Sequence, residues 1–135
     1  MDFNQYIGIP FKSKGRTREG LDCWGLIRLL YLEQFQIELP SYVDDYLSAS
    51  DFKTAGKLIE DNLHRWIKVD PSIRTLGDVI VLRIYGQPIH MGMLINDQQM
   101  IHVFKNIDTC VQRIYTSIWK QRIHGIYRHS SLVNS

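Results

Sequence analysis

The chain has 135 residues, and its 16 lysine and arginine side chains nearly balance 14 aspartate and glutamate side chains, for a formal net charge of +2. A chain of this length has room for one hydrophobic core, so we predict a single domain over residues 1–135. The mild charge argues against a nucleic-acid partner, and the 44% hydrophobic content argues against disorder.

The N-terminal segment shows no targeting signal. Residues 1–6 lack the basic start and apolar run of a signal peptide, and no apolar stretch approaches the ~20 residues that cross a bilayer. We therefore expect no signal peptide and no membrane insertion. Residues 5–21 hold several glycines among basic side chains, which predicts an irregular, solvated loop.

A helix is predicted from Cys23 to Phe35, where apolar residues recur at helical spacing, with Asp22 as a good N-cap. Cys23 lies in its first turn, where unpaired backbone N–H groups and the helix dipole favour the thiolate and lower the pKa of a cysteine. Gly25 leaves room there for substrate or for another backbone. A small buried hydrophobe is the alternative role for this free cysteine.

The rest of the chain changes from helical to strand patterns. Pro40 ends the first helical region, and a helical insert is predicted at about residues 41–75, with its helix from about Asp51 to Trp66. Five strands are predicted after it, over Asp78–Ile84, Ile89–Ile95, Gln99–Phe104, Val111–Tyr115 and Gly125–His129. This order indicates an α+β fold, with N-terminal helices packed on an antiparallel sheet of about five strands.

Two histidines flank the hairpin between the second and third predicted strands. If its loop has three residues centred on Asp97, Gly92 lies opposite His102 and leaves room for both imidazoles on one face. A two-residue loop would place the rings on opposite faces. In the first case His90 could accept the proton of the Cys23 thiol while His102 holds the His90 ring. The alternative for each histidine is a structural role, in which the ring hydrogen-bonds to a backbone carbonyl.

Zinc is another chemistry that two histidines and a thiolate can support. The sequence offers no fourth ligand and no paired spacing such as CxxC or HExxH. We therefore predict no metal and no cofactor. The second cysteine, Cys110, is expected to be a buried free thiol.

Five sequence blocks follow one another along the chain: GLDCWGLIRLLY, FQIELPSY, LGDVIVLR, HMGMLI and MIHVF. In this order they resemble the successive motifs of NlpC/P60 peptidases. The closing GIYRH and the tryptophan after Cys23 are similar to the phage-tail branch of that family. The resemblance implies a papain-like α+β fold and hydrolysis of an amide in the bacterial cell-wall stem peptide, often γ-D-glutamyl to diaminopimelate.

The resemblance also implies roles for individual residues. Cys23 is the implied nucleophile, His90 the general base and His102 the orienting third residue. The residues expected to contact substrate are Phe11, Asp22, Trp24 and Gly92. Many family members carry a tyrosine where this chain has Phe11, so the hydroxyl is lost and the oxyanion would rely on backbone N–H groups.

These observations leave three functional classes. The leading expectation is a peptidoglycan endopeptidase in a phage virion tail, or in the bacterial cytoplasm before assembly, with stem peptides and tail-tip proteins as partners. The alternative is a catalytically weak or inactive structural tail-tip or tail-assembly subunit, which the loss of the hydroxyl at Phe11 keeps open. A cytosolic amidase or acyltransferase is the third class, although nothing in the sequence recommends a lipid substrate.

Overall fold

The computed structural model describes residues 2–43, 61 and 65–133. Its first elements are the short strands β1 (Arg16–Thr17) and β2 (Gly20–Leu21) and the helix α1 (Cys23–Leu30). The later strands are β3 (Trp66–Lys68), β4 (Val79–Ile84), β5 (Gln87–Leu94), β6 (Gln99–Phe104), β7 (Ile107–Arg113) and β8 (Ile123–His129). No helix within the described ranges is long and apolar enough to cross a bilayer.

Strands β3 to β8 form one antiparallel sheet in the order β3-β8-β4-β5-β6-β7. Side chains alternate across each strand, and this alternation divides the core into two clusters. The helix-side cluster joins α1 to the sheet and includes Leu26, Ile27, Val79 and Val81. The second cluster includes Ile80, Leu82, Leu94, Met100 and Trp119.

Helix α1 begins at Cys23 because the preceding residue caps it. Asp22 has an extended backbone, and its carboxylate accepts a hydrogen bond from the Gly25 N–H at 2.8 Å. The helical segment continues as a π-helical turn over Tyr31–Phe35 and ends at Gln36, whose φ of 56° is left-handed. The predicted extent of this helix is therefore confirmed, with a final turn that is wider than an α-helix.

The loop before α1 is packed directly against the helix. A Cβ on Gly25 would lie 2.1 Å from the carbonyl oxygen of Gly15, so the room predicted at Gly25 is filled by another backbone. Arg16 fastens this loop, since its Nη1 donates to Asp22 Oδ1 at 2.8 Å and its Nη2 donates to Ser41 O at 2.8 Å. Arg16 thereby links the residue before α1 to the chain segment that follows the helical region.

The predicted α+β fold is confirmed, with differences in two strands. The sheet has six strands because Trp66–Lys68 pairs with β8, although the sequence pattern predicts helix up to Trp66. The rest of that predicted helix, from about Asp51, lies outside the described residues except for Asp61 and Arg65. Strand β7 begins at Ile107, before the predicted start, because Asn106 has a φ of 67° and turns the chain directly after β6.

Candidate active site

The β5–β6 hairpin has the longer of the two loops considered from the sequence. Met93 pairs with Ile101, and the Ile95 N–H donates to Gln99 O at 3.1 Å, which leaves residues 96–98 as the loop. The three-residue loop is therefore confirmed. Its register places the two candidate histidines on one face of the sheet.

The two imidazoles form a buried, hydrogen-bonded pair. His90 Nε2 lies 2.8 Å from His102 Nδ1, and the two side chains are 1% and 0% exposed. Gly92 lies beside them, and a Cβ at that position would come within 3.3 Å of the His102 Cβ. Glycine at this position therefore provides the room for the pair that the sequence pattern predicted.

Two residues that the sequence reasoning did not identify extend this pair. Gln112 Oε1 lies 2.5 Å from His102 Nε2, and the Trp119 Nε1–H donates to the same Gln112 oxygen at 3.0 Å. The Trp119 ring also packs on both imidazoles, with centroid distances of 5.4 Å to His90 and 5.3 Å to His102. A continuous polar chain therefore runs from Trp119 to His90.

The Cys23 thiol lies against the strand that carries His90. Its Sγ is 4.0 Å from the carbonyl oxygen of Ile89. His90 Nδ1 is buried and has no hydrogen-bond partner among the described residues, so the thiol and the imidazole are not hydrogen-bonded to each other. The His90 ring packs instead on Phe104, at a centroid distance of 4.7 Å. The thiol therefore lies next to the segment of β5 that carries His90, but it makes no direct polar contact with the imidazole.

The surroundings of the sulfur favour the neutral thiol. Burial, with the nearby Asp22 carboxylate as the second cause, raises the pKa of Cys23 to about 12. The backbone N–H groups of Met91 and Trp24 lower this pKa, but by less. The expectation of a thiolate at the helix N-terminus is wrong for this conformation, because desolvation outweighs the helix N–H groups.

The buried histidines should make the fold sensitive to acid. Burial lowers the pKa of His90 well below its usual value, with the charge of His102 as a second cause, and burial also lowers the pKa of His102. Below about pH 6.5 the unfolded chain therefore binds protons that the native chain does not. We expect the urea-unfolding free energy to be constant above that pH and to fall below it, by up to about 1.4 kcal/mol per pH unit for each histidine.

Two variants test this proton linkage. His90→Gln should flatten the dependence of the unfolding free energy on pH, because one of the linked groups is gone. Gln98 is exposed and has no ionisable side chain, so Gln98→Leu should keep the wild-type dependence. Equal slopes in all three proteins between about pH 7.5 and pH 5 would rule out a depressed His90 pKa.

The residues predicted to contact substrate occupy different settings. Phe11 is half-buried and packs against the helix-side cluster. Asp22 is buried, and its carboxylate caps α1. The Trp24 Nε1–H donates to Pro40 O at 2.8 Å, in the chain segment that follows the helical region. Gly92 faces the histidine pair. Substrate contact by these four residues stays a prediction.

The second cysteine is a free thiol that is half-buried rather than buried. Cys110 lies on β7 directly opposite His102, and burial raises its pKa. Within the described part of the chain, no three His, Cys, Asp or Glu side chains are grouped as a metal site would require.

Known proteins are similar to this chain in sequence and in fold. The sequence model of the NlpC/P60 family matches residues 8–128. Murein DD-endopeptidase MepS/Murein LD-carboxypeptidase of Escherichia coli (strain K12) is 25% identical over 126 residues, which cover 93% of this chain and 58% of that protein. Gamma-DL-glutamyl hydrolase of Bacillus subtilis (strain 168) is 24% identical over 131 residues, covering 95% and 28%. The chain thus spans little more than half of the first relative, and less of the second.

Solved structures show the same fold. A crystal structure of an NlpC/P60 family protein from Bacillus cereus ATCC 10987 superposes with a TM-score of 0.71 at 22% identity, covering 93% of this chain and 37% of that one. The NlpC/p60 domain of peptidoglycan hydrolase SagA superposes with a TM-score of 0.61 at 18% identity, covering 91% and 89%. Since the family model also spans most of the sequence, the chain belongs to the NlpC/P60 family.

Proposed function

We propose that this chain is a cysteine peptidase that hydrolyses amide bonds in the stem peptides of peptidoglycan. The observation that carries the proposal is the buried His90–His102 pair, whose rings are 2.8 Å apart at Nε2 and Nδ1 while His90 Nδ1 keeps no partner among the described residues. Family membership and the murein endopeptidase among the relatives support the substrate class.

The proposed reaction is acyl transfer in two stages. Cys23 Sγ attacks the carbonyl carbon of the amide while His90 Nδ1 accepts the thiol proton, and the imidazolium then protonates the leaving amine as the C–N bond breaks. Water next attacks the thioester, gives its proton to His90 Nδ1, and the thiol leaves reprotonated. Because thiol and imidazole are both neutral at rest, proton transfer accompanies the attack.

This reaction needs Sγ and Nδ1 within hydrogen-bond reach, a distance that free enzymes often reach only with substrate bound. A structural subunit that does not cut is the second candidate. Two observations favour it, the absence of a hydroxyl at Phe11 and the absence of a hydrogen bond between Cys23 and His90 among the described residues.

We also propose that a phage or prophage tail carries the chain to the wall, with tail-tip proteins as partners. The closing GIYRH block, at Gly125 to His129, and Trp24 support this delivery through their similarity to the phage-tail branch. Mass spectrometry of gradient-purified tail particles tests it. Detection of the chain in the particles is the expected result, and its absence would refute the delivery.

Digestion of purified peptidoglycan separates the peptidase from the structural subunit. Wild type and Cys110→Ala should both release new stem-peptide fragments, identified by mass spectrometry, whereas Cys23→Ala should release none. Cys110→Ala is the matched control, because it removes the other thiol of the chain. Fragments from Cys23→Ala would exclude the proposed nucleophile, and no fragments from any of the three proteins would favour the structural subunit.

A further inference from the structure

We propose that Gln112, oriented by Trp119, is a positioning residue that fixes where the protons lie on the His90–His102 pair. The proposal rests on the peptidase function for its kinetic consequences only. Its structural content concerns which ring nitrogens carry hydrogen, and this can be measured in the protein without any substrate.

The orientation of the Gln112 amide follows from its indole partner. The Trp119 Nε1–H can donate but cannot accept, so the Gln112 atom 3.0 Å away must be the carbonyl oxygen and not the amide nitrogen. Trp119 is 4% exposed, which keeps this donor from turning to water. The amide is therefore held with its oxygen toward the histidines.

This oxygen then determines the tautomer of His102. A carbonyl oxygen only accepts, so His102 Nε2, at 2.5 Å, must carry the hydrogen and donate it. A neutral imidazole has a single N–H. Burial lowers the pKa of His102, which keeps the ring neutral near pH 7. His102 Nδ1 is therefore bare, and it can only accept a hydrogen bond.

The bare Nδ1 of His102 also determines where the hydrogen of His90 lies. His90 Nε2 lies 2.8 Å from His102 Nδ1, so Nε2 donates and the hydrogen of the neutral His90 ring lies there. His90 Nδ1 is then the bare nitrogen, the atom that the proposed mechanism needs to accept the thiol proton. Without the Gln112 oxygen, both rings could reverse their hydrogens and place an N–H on His90 Nδ1, which cannot accept a proton.

Long-range ¹H–¹⁵N correlation spectra of the histidine rings test the assignment directly. At about pH 7.5 the wild type should show His90 and His102 both as Nε2–H tautomers. Gln112→Leu should produce mixed tautomers at both rings. Trp119→Phe keeps an aromatic ring but frees the amide to flip, so it should produce partial mixing. Gln98→Leu changes an exposed glutamine and should leave the spectra unchanged.

Kinetics on peptidoglycan fragments test the functional consequence. Gln112→Leu should lower kcat about tenfold with little change in KM, the size expected for one lost hydrogen bond between neutral groups. Gln112→Glu retains an acceptor oxygen and should restore the tautomers. Its added negative charge should also move the acid limb of the pH profile to higher pH, because it stabilises the imidazolium. The shift follows from the added charge alone, so the rescue relative to Gln112→Leu is the decisive result, and a residue with only a packing role would not show it.

The outcomes separate this proposal from the proposed function. A His102 Nδ1–H tautomer in the wild type, or unchanged tautomers in Gln112→Leu, would overturn the positioning role even if the protein cuts peptidoglycan. Failure of the wild type to cut peptidoglycan, with the tautomers as expected, would refute the peptidase and leave the proton arrangement standing.

Discussion

Replacing Arg128 with methionine should lower the free energy of unfolding by about 3–5 kcal/mol, because it leaves a buried carboxylate without its cation. Asp78 is fully buried, and the Arg128 guanidinium donates to both of its oxygens, from Nε at 2.7 Å and from Nη2 at 2.9 Å. The Thr75 N–H adds a third donor at 2.9 Å. Urea denaturation of Arg128→Met and wild type measures the difference.

Two further variants show whether the charge is the cause. Arg83 is an exposed arginine on β4, so Arg83→Met should change the unfolding free energy by less than about 0.5 kcal/mol. Adding Asp78→Asn to Arg128→Met should recover part of the loss, because the neutral amide still accepts from Thr75 but needs no cation. A double variant no more stable than Arg128→Met would show that lost packing of the arginine is responsible.

This ion pair gives a structural reason for two of the sequence blocks. Asp78 belongs to LGDVIVLR at the start of β4, and Arg128 belongs to the closing GIYRH on β8, the strand that pairs with β4. Arg128 also donates from Nη2 to Ile73 O at 3.1 Å. The ion pair therefore links the two blocks where β4 and β8 lie side by side, and it is separate from the histidine pair on β5 and β6.

The histidine pair could be predicted from the sequence, provided that the length of the hairpin loop was known. The even separation of His90 and His102 and the glycine at Gly92 are local features, and they are sufficient once the register is known. The register itself depends on Asn96, whose Oδ1 accepts the backbone N–H groups of Gln98 and Gln99 at 2.8 and 2.9 Å. This side-chain turn favours the longer loop, and the sequence reasoning did not use it.

Other features could not be predicted because their partners are distant in the chain. Strand β3 is short, and Trp66 joins the sheet through pairing with His129, whose ring lies 4.9 Å away. Gln112 carries no local pattern that marks a polar contact, and only the pairing of β6 with β7 brings it to His102. The raised pKa of Cys23 is likewise a product of burial in the folded chain.

Cys23 should react with iodoacetamide at pH 7 roughly a hundredfold more slowly in the folded protein than in the same chain unfolded in urea. The thiolate is the reacting form, and a pKa of about 12 leaves far less of it than the usual value of ~8.5. The thiolate fraction falls about 3,000-fold, and the higher nucleophilicity of a more basic thiolate offsets roughly 30-fold of this. Intact-mass spectrometry of the Cys110→Ala protein follows this one thiol.

The dependence of that rate on pH distinguishes the two possible resting states of the site. A neutral thiol with a pKa of about 12 requires the rate to rise about tenfold per pH unit from about pH 7 to pH 10, with no plateau. A plateau already present below pH 7 would reveal a thiolate paired with an imidazolium and would contradict the neutral pair. In the neutral state, the proposed reaction would depend on His90 Nδ1 as the proton acceptor, so the proton arrangement proposed for Gln112 would influence its rate.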